Sequence, residues 1–349
     1  MALAGLLAFA FPFLLSLGLT ALLRPLALRL GFVDDPGGRK VHPGPVPLGG
    51  GVAIALALAA AFGLAWAPGV LPPSVTGGIA LKVPALPWIL AGALAVFAAG
   101  LWDDLRDLGP WSKLAVQVLA AATVVIRVPE VRITVLGAGP LLQVALTVAW
   151  IVAITNAFNF MDNMDGLAAG VAAVASLLLA AIAFLTGRDL MAVFFLALLG
   201  GLSGFLVFNR PPASIFLGDA GSLLVGFLLG VGAVLFTYDE APRSLAPLGV
   251  PLLVFGVPLF DLVTVMAIRL REGRPLAAAD RSHFSHRLVA LGMSPREAVG
   301  SIWLLTFVIG MGALLLYHMP PEAVPLLLLQ AVGAFAIIAL LERAARRRP

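Results

Sequence analysis

The sequence predicts an all-α fold: one polytopic membrane helix bundle of about eleven transmembrane helices, forming a single domain over residues 1–349. Three observations predict it. Hydrophobic residues make up 61% of the chain and charged residues 11%, against about 25% charged in soluble proteins. Mean hydropathy is +1.06. Apolar runs close to membrane-spanning length recur along the chain, punctuated by Pro, Gly and charge. Finally, the basic residues segregate to alternate loops, as the positive-inside rule demands of a multi-pass protein.

The apolar runs fall at 3–23, 48–68, 88–102, 112–127, 138–158, 166–186, 190–208, 220–237, 246–268, 298–317 and 323–341. The first lacks a basic n-region and a small-residue cleavage site, so it is expected to be a retained helix and not a signal peptide. Stretches 68–87 and 127–138 are the longer connections on the other face. Within the second, Val128–Val135 has the Val, Ile and Thr content of a small hairpin.

Eleven spans place the two termini on opposite faces. All but five of the 22 Lys and Arg residues then fall on one side, the exceptions being Lys82, Arg127, Arg132, Arg188 and Arg243. That rich side is expected to be cytoplasmic, with the N-terminus outside and the tail from Glu342 inside. The pI near 10.1 is therefore a topology signal, and no nucleic-acid partner is expected. The absence of Cys excludes disulfides, thiolate metal sites and a cysteine nucleophile.

Most of the 18 carboxylates share the basic face. Asp34, Asp107 and Glu297 are isolated and read as markers of the water boundary. Others are grouped. Asp103 and Asp104 follow Gly100-Leu-Trp; Asn156, Asn159, Asp162 and Asp165 precede Gly166-Leu167; Asp219 lies in Phe216-Leu-Gly218-Asp219-Ala-Gly221-Ser222. Such hard oxygen donors suit Mg²⁺, which binds through one or two carboxylates plus substrate phosphates. On a continuing helix Asn156, Asn159 and Asp162 would share one face.

Cations and imidazoles come from two further loops, one with Arg39, Lys40 and His42, the other with Asp280, Arg281, His283, His286 and Arg287. Arg offers phosphate bidentate hydrogen bonds, Lys a point charge, and His a donor or proton carrier. Arg269, Arg271, Arg274 and the C-terminal Arg run read instead as inside charge facing lipid headgroups. Asp261, within the ninth span, is either a buried acid or a helix-end group facing the cleft.

These residues resemble a known family, the polyprenyl-phosphate N-acetylhexosamine-1-phosphate transferases. Five ordered motifs between about residue 24 and 297 carry the resemblance. They are Arg39-Lys-Val-His42 with Pro47-Leu-Gly-Gly50, Asp103-Asp104, Asn156-x-x-Asn159-x-x-Asp162-x-x-Asp165-Gly-Leu, Gly218-Asp219-x-Gly-Ser222, and the histidine loop. The resemblance implies transfer of a sugar-1-phosphate from a UDP-N-acetylhexosamine to undecaprenyl phosphate, with release of UMP, at the cytoplasmic face of the inner membrane. It also implies a requirement for Mg²⁺, with Mn²⁺ as an alternative ion, and a homodimer among membrane lipids.

Carried over by position, Asp219 resembles the metal-binding acid, with Asp162 beside it, and Phe216 the aromatic that stacks on uracil. Asp103 and Asp104 resemble the pair near the lipid phosphate, and with Asp162, Asp219 and His286 they make up the expected catalytic set. Lys40, His42, Asn156, Asn159, Asp165, His283 and Arg287 complete the expected substrate contacts with Phe216. Ser285 stands where many GlcNAc-type members have a middle histidine. The loop still reads as GlcNAc-type, which makes UDP-GlcNAc the expected donor. The alternatives are the muramyl-pentapeptide transfer of peptidoglycan synthesis and, from another class, a proton- or Na⁺-coupled transporter, for which Asp261 is the best candidate acid.

Overall fold

In the computed structural model, the described residues are 2–34, 44–67, 69–134, 139–237, 246–277, 282–316, 319 and 323–345. Their order begins with helix α1 (Ala2–Leu30), strands β1 (Val33–Asp34) and β2 (Val46–Pro47), then α2 (Gly50–Ala65), α3 (Pro73–Lys82), α4 (Leu86–Leu105) and α5 (Pro110–Arg127). Next come α6 (Pro140–Met161), α7 (Leu167–Leu185), α8 (Asp189–Asn209), α9 (Gly218–Thr237), α10 (Ala246–Val254) and α11 (Gly256–Arg271). The last three are α12 (Phe284–Ala290), α13 (Pro295–Leu315) and α14 (Ala323–Ala345).

Eight of these helices, α1, α4, α6, α7, α8, α9, α13 and α14, are long and apolar enough to cross a membrane. The expected all-helical membrane architecture is therefore present. Three expected spans fall outside these eight. Helix α2 has 16 residues and is about 24 Å long, short of a hydrocarbon core of about 30 Å. Helix α5 carries Lys113, Gln117 and Arg127 within 18 residues. The ninth run is broken into α10 and α11 at Phe255. Pro258 causes that break, because it has no N–H to give the Val254 carbonyl four residues back.

The hairpin expected at 128–135 is absent among the described residues. The Val131 amide instead donates to the Val128 carbonyl in a turn (2.9 Å). Arg132 Nε reaches back to the Val125 carbonyl (3.0 Å), and the Ile133 amide donates to Thr147 Oγ1 (2.8 Å). The first and last of these bonds use backbone groups a hairpin partner would need. A short hairpin occurs elsewhere, pairing Val33 with Pro47 and Asp34 with Val46.

Helix α9 is the innermost, flanked by α4 and α6, and α14 lies at the periphery. Bare backbone lets α1 pack closely along α8: a Cβ at Gly200 would lie 2.2 Å from the Phe9 carbonyl oxygen, and one at Gly204 2.3 Å from that of Phe13. Small residues four apart are how membrane helices, lacking a hydrophobic drive, gain van der Waals contact. The same device joins α4 to α9, where a Cβ at Gly100 would lie 2.4 Å from the Asp219 carbonyl oxygen.

Candidate active site

The site starts from an unmet need of α9. Its first-turn amides have no partners inside the helix. Asp104, at the end of α4, caps them from a distance. Its Oδ1 accepts from the Asp219 amide (2.7 Å) and its Oδ2 from the Ala220 amide (3.0 Å). A carboxylate there also meets the positive end of the α9 dipole. Gly218 makes room: its φ is +75°, and a Cβ on it would lie 2.6 Å from Asp104 Oδ2.

With α9 anchored, Asp219 faces Asp103 across a lysine. Lys113, in the first turn of α5, donates to Asp219 Oδ2 (2.6 Å) and Asp103 Oδ2 (2.9 Å). Asp103 Oδ1 accepts from the Leu108 amide (2.9 Å), fixing the α4–α5 turn. On its other side Asp219 Oδ1 accepts from Asn159 Nδ2 (3.0 Å), which also donates to Ser222 Oγ (3.0 Å). Four helix ends thus share one cluster of two carboxylates, an ammonium and an amide.

Asp162 stands beside that cluster, just past the end of α6, where the Gly218 amide donates to its carboxyl. Burial raises its pKa well above the usual carboxylate range, and repulsion from Asp219, Asp104 and Asp165 adds to the shift. Because α6 ends at Met161, Asn156, Asn159 and Asp162 do not act as one helical face. Asn156, a turn deeper, donates to Gln117 Oε1 on α5 (2.5 Å) and ties those two helices.

Asp165 braces the neighbouring loop. Its Oδ2 accepts from the Ala213 amide (2.8 Å). Asn209 assists by accepting from the Gly166 amide (3.0 Å) and donating to the Ile215 carbonyl (2.9 Å). Phe216 is held by its backbone, donating to the Pro47 carbonyl (2.9 Å) and accepting from the Gly50 amide (3.0 Å). Lys40 and His42 lie outside the described residues.

The histidine loop is tied down at three points. Asp261 Oδ2 meets His283 Nδ1 (2.9 Å), and its Oδ1 accepts from the Phe284 amide (2.6 Å). Ser285 Oγ donates to Asn163 Oδ1 (2.6 Å), so the serine in place of the expected histidine links this loop to the acid-rich segment. Arg287 is buried and donates through Nε to both oxygens of Glu342 (3.1 and 3.0 Å), which places it against α14. His286 is half-buried, its ring 6.4 Å from that of His283.

Arg269, read from the sequence as a charge facing lipid headgroups, is instead buried, with its guanidinium 5.1 Å from the Phe160 ring. Lys113 enters the sequence reading only in the count of basic residues on the inner face, although it stands ten residues after Asp103. Asn163 fills an unspecified position of the Asn156–Asp165 motif, and Asn209 and Glu342 lie outside every motif. Only the packing reveals their roles.

Asp219 and Asp162 supply hard oxygens of the kind Mg²⁺ takes, and the Asp219 carboxylate is paired with the Lys113 ammonium. Among the described residues no three His, Asp or Glu side chains form a metal cage on their own.

Fold and site together define a multi-pass helical membrane protein with clustered acids and a lysine at shared helix ends. Residues 86–237, from α4 to α9, match the family model described as glycosyl transferase family 4. The chain is 32% identical to a probable undecaprenyl-phosphate N-acetylglucosaminyl 1-phosphate transferase of Bacillus subtilis, covering 88% of this chain and 84% of the relative. It is also 32% identical to a decaprenyl-phosphate N-acetylglucosaminephosphotransferase of Mycobacterium tuberculosis, over 93% and 86% of the two chains. Identity to an undecaprenyl-phosphate alpha-N-acetylglucosaminyl 1-phosphate transferase of Salmonella typhi is 29%, over 88% and 83%. The chain belongs to glycosyl transferase family 4, and as a member it is a membrane transferase.

Proposed function

We propose that this protein transfers N-acetylglucosamine-1-phosphate from UDP-GlcNAc to undecaprenyl phosphate, releasing UMP. The observation that carries the reading is Lys113 held between Asp103 and Asp219, a charge arrangement suited to a diphosphate and its attacking phosphate. The relatives' names support the same donor sugar and lipid acceptor. Neither the muramyl-pentapeptide reading nor the transporter reading has such support.

In this reading an oxygen of the lipid phosphate attacks the sugar-bearing phosphorus of the donor. The new P–O bond completes the lipid diphosphate. The bond from that phosphorus to the bridging oxygen breaks, and UMP leaves with the oxygen and its electron pair. A phosphate monoester has a second pKa of about 6, so the nucleophile needs no strong base near neutral pH. Asp103 orients the incoming phosphate through Lys113, whose charge screens the crowded oxygens. Asp219 and Asp162 would hold Mg²⁺, which when bound would supply neutralisation of the charge that builds on the departing UMP. Asn159 keeps Asp219 aimed, Phe216 offers a face for uracil, and His286 and His283 approach the diphosphate from the last loop.

The full proposal has one domain, eleven crossings with the N-terminus outside, a cytoplasmic active site in the inner membrane, and a homodimer. Lys40, His42, Asn156, Asp165 and Arg287 complete the proposed substrate set, the last two by bracing loops. The test is UMP release by detergent-purified protein given undecaprenyl phosphate, Mg²⁺ and either UDP-GlcNAc or UDP-MurNAc-pentapeptide. Turnover of UDP-GlcNAc, lost in Asp219→Asn, is the expected result. Turnover of the pentapeptide donor alone would move the protein to peptidoglycan synthesis.

A further inference from the structure

We infer that Asp261 is the positioning residue of the histidine loop, fixing the tautomer of His283 and the start of α12 with its two carboxylate oxygens. The inference rests on the transferase reading for its kinetic consequence, and on geometry alone for its chemistry. Asp261 lies on α11 at 2% exposure and His283 at 6%, so water does not compete for their bond. With a carboxylate oxygen 2.9 Å away, the His283 Nδ1 carries a proton and donates it. Nε2 is then the ring nitrogen left to serve the reaction. The second oxygen accepts from the Phe284 amide, the first N–H of α12 (2.6 Å), which sets the helix that carries His286.

The surroundings add a reason for this device. Phe160, within the Asn-rich motif, meets the His283 ring edge-on at 5.6 Å and takes the Arg269 guanidinium at 5.1 Å. Among the described residues the charged or titratable groups near His283 are Asp261, Arg269 behind Phe160, His286 on α12, and Arg274 and Arg287, which both bond the neighbouring Ser282. No second hydrogen-bond partner to the ring is needed to orient it. A buried carboxylate that selects an imidazole tautomer is the logic serine hydrolases use to aim their general base.

Asp261→Asn separates this role from simple packing. The amide oxygen can still accept from Phe284, whereas the amide NH₂ now faces Nδ1 and requires it to accept, moving the His283 proton to Nε2. The experiment uses full-length protein labelled with ¹⁵N-histidine in detergent. With only four histidines, His283→Gln assigns the signal by NMR. The expected result is a protonated Nδ1 in the native protein and a bare Nδ1 in Asp261→Asn. Paired kinetics should show kcat lowered about tenfold or more, with KM for UDP-GlcNAc within about twofold. A bare Nδ1 in the native protein, an unchanged tautomer in the variant, or an unchanged kcat would each overturn the inference. Failure of the native protein to use UDP-GlcNAc would overturn the transferase reading instead, and the nitrogen signals would then decide the Asp261–His283 relationship by themselves.

Discussion

The ammonium of Lys113 lies 2.6 Å from Asp219 Oδ2, across a gap of more than a hundred residues in sequence. Removing that charge leaves Asp219 and Asp103 facing each other unscreened. Lys113→Met should lower kcat for UMP release by about a hundredfold or more, the scale at which a preorganised electrostatic group contributes. Turnover near the native rate in this variant would remove Lys113 from the mechanism.

Asp104 acts through the amides of Asp219 and Ala220. Asp104→Ala should destabilise the start of α9 by about 1–2 kcal/mol, as loss of a cap does, and should cost activity by letting Asp219 drift. Thermal unfolding in detergent reads the first effect and UMP release the second. Asp104→Asn, retaining one acceptor, should fall between Ala and the native residue in both.

The pKa of Asp162, raised by burial and by neighbouring carboxylates, gives a pH effect of definite sign. Between its ordinary value and its raised value the folded state binds the proton that the unfolded chain releases, so in metal-free buffer this group's stability contribution falls as pH rises through that window. Asp162→Asn should abolish that fall. Thermal melts across pH in EDTA should show the variant at least as stable as the native protein near neutrality, and Mg²⁺ should raise only the native protein's Tm. A native Tm that rises with pH where the variant's does not would reverse the sign and refute this account.

Arg287 and Glu342 form a buried ion pair joining α12 to α14. Breaking such a pair leaves one charge uncompensated at a cost of about 3–5 kcal/mol. Arg287→Ala and Glu342→Ala should each lower stability strongly, and the double variant should lose much less than the two effects added. A double-mutant cycle by thermal unfolding measures it; full additivity would mean the pair contributes nothing.

Close packing of α1 on α8 depends on Gly204, where an added Cβ meets the Phe13 backbone at 2.3 Å. Gly204→Val should force the helices apart and cut the yield of folded protein on size-exclusion chromatography. A comparable substitution at Gly63, which has open space around it, should be tolerated.

Much of this architecture was legible in order along the chain. Hydropathy alone identified long helices such as α7 and α9, because lipid leaves a spanning backbone few alternatives to the helix. It did not set α2, α5 and the α10–α11 break apart from the longer helices, where length, interior polar residues and a proline matter more than mean apolarity. The acids of the site were equally legible, since a carboxylate near lipid needs a reason to be there. Their division of labour was not. Asp103, Asp104, Asp219 and Lys113 come from three helices, and nothing in their spacing says which acid caps a helix and which holds a cation.

What the sequence determined by itself was the material: a membrane helix bundle, its scarce polar groups, and the residues gathered in the family's motifs. Only the tertiary structure decided that Asp104 serves α9, that Lys113 joins Asp103 to Asp219, and that Asp261 and Glu342 fasten the histidine loop. The physical reason is that helix formation follows local hydrogen bonding and hydropathy, whereas a hydrogen bond or ion pair between side chains depends on distances set by helix packing.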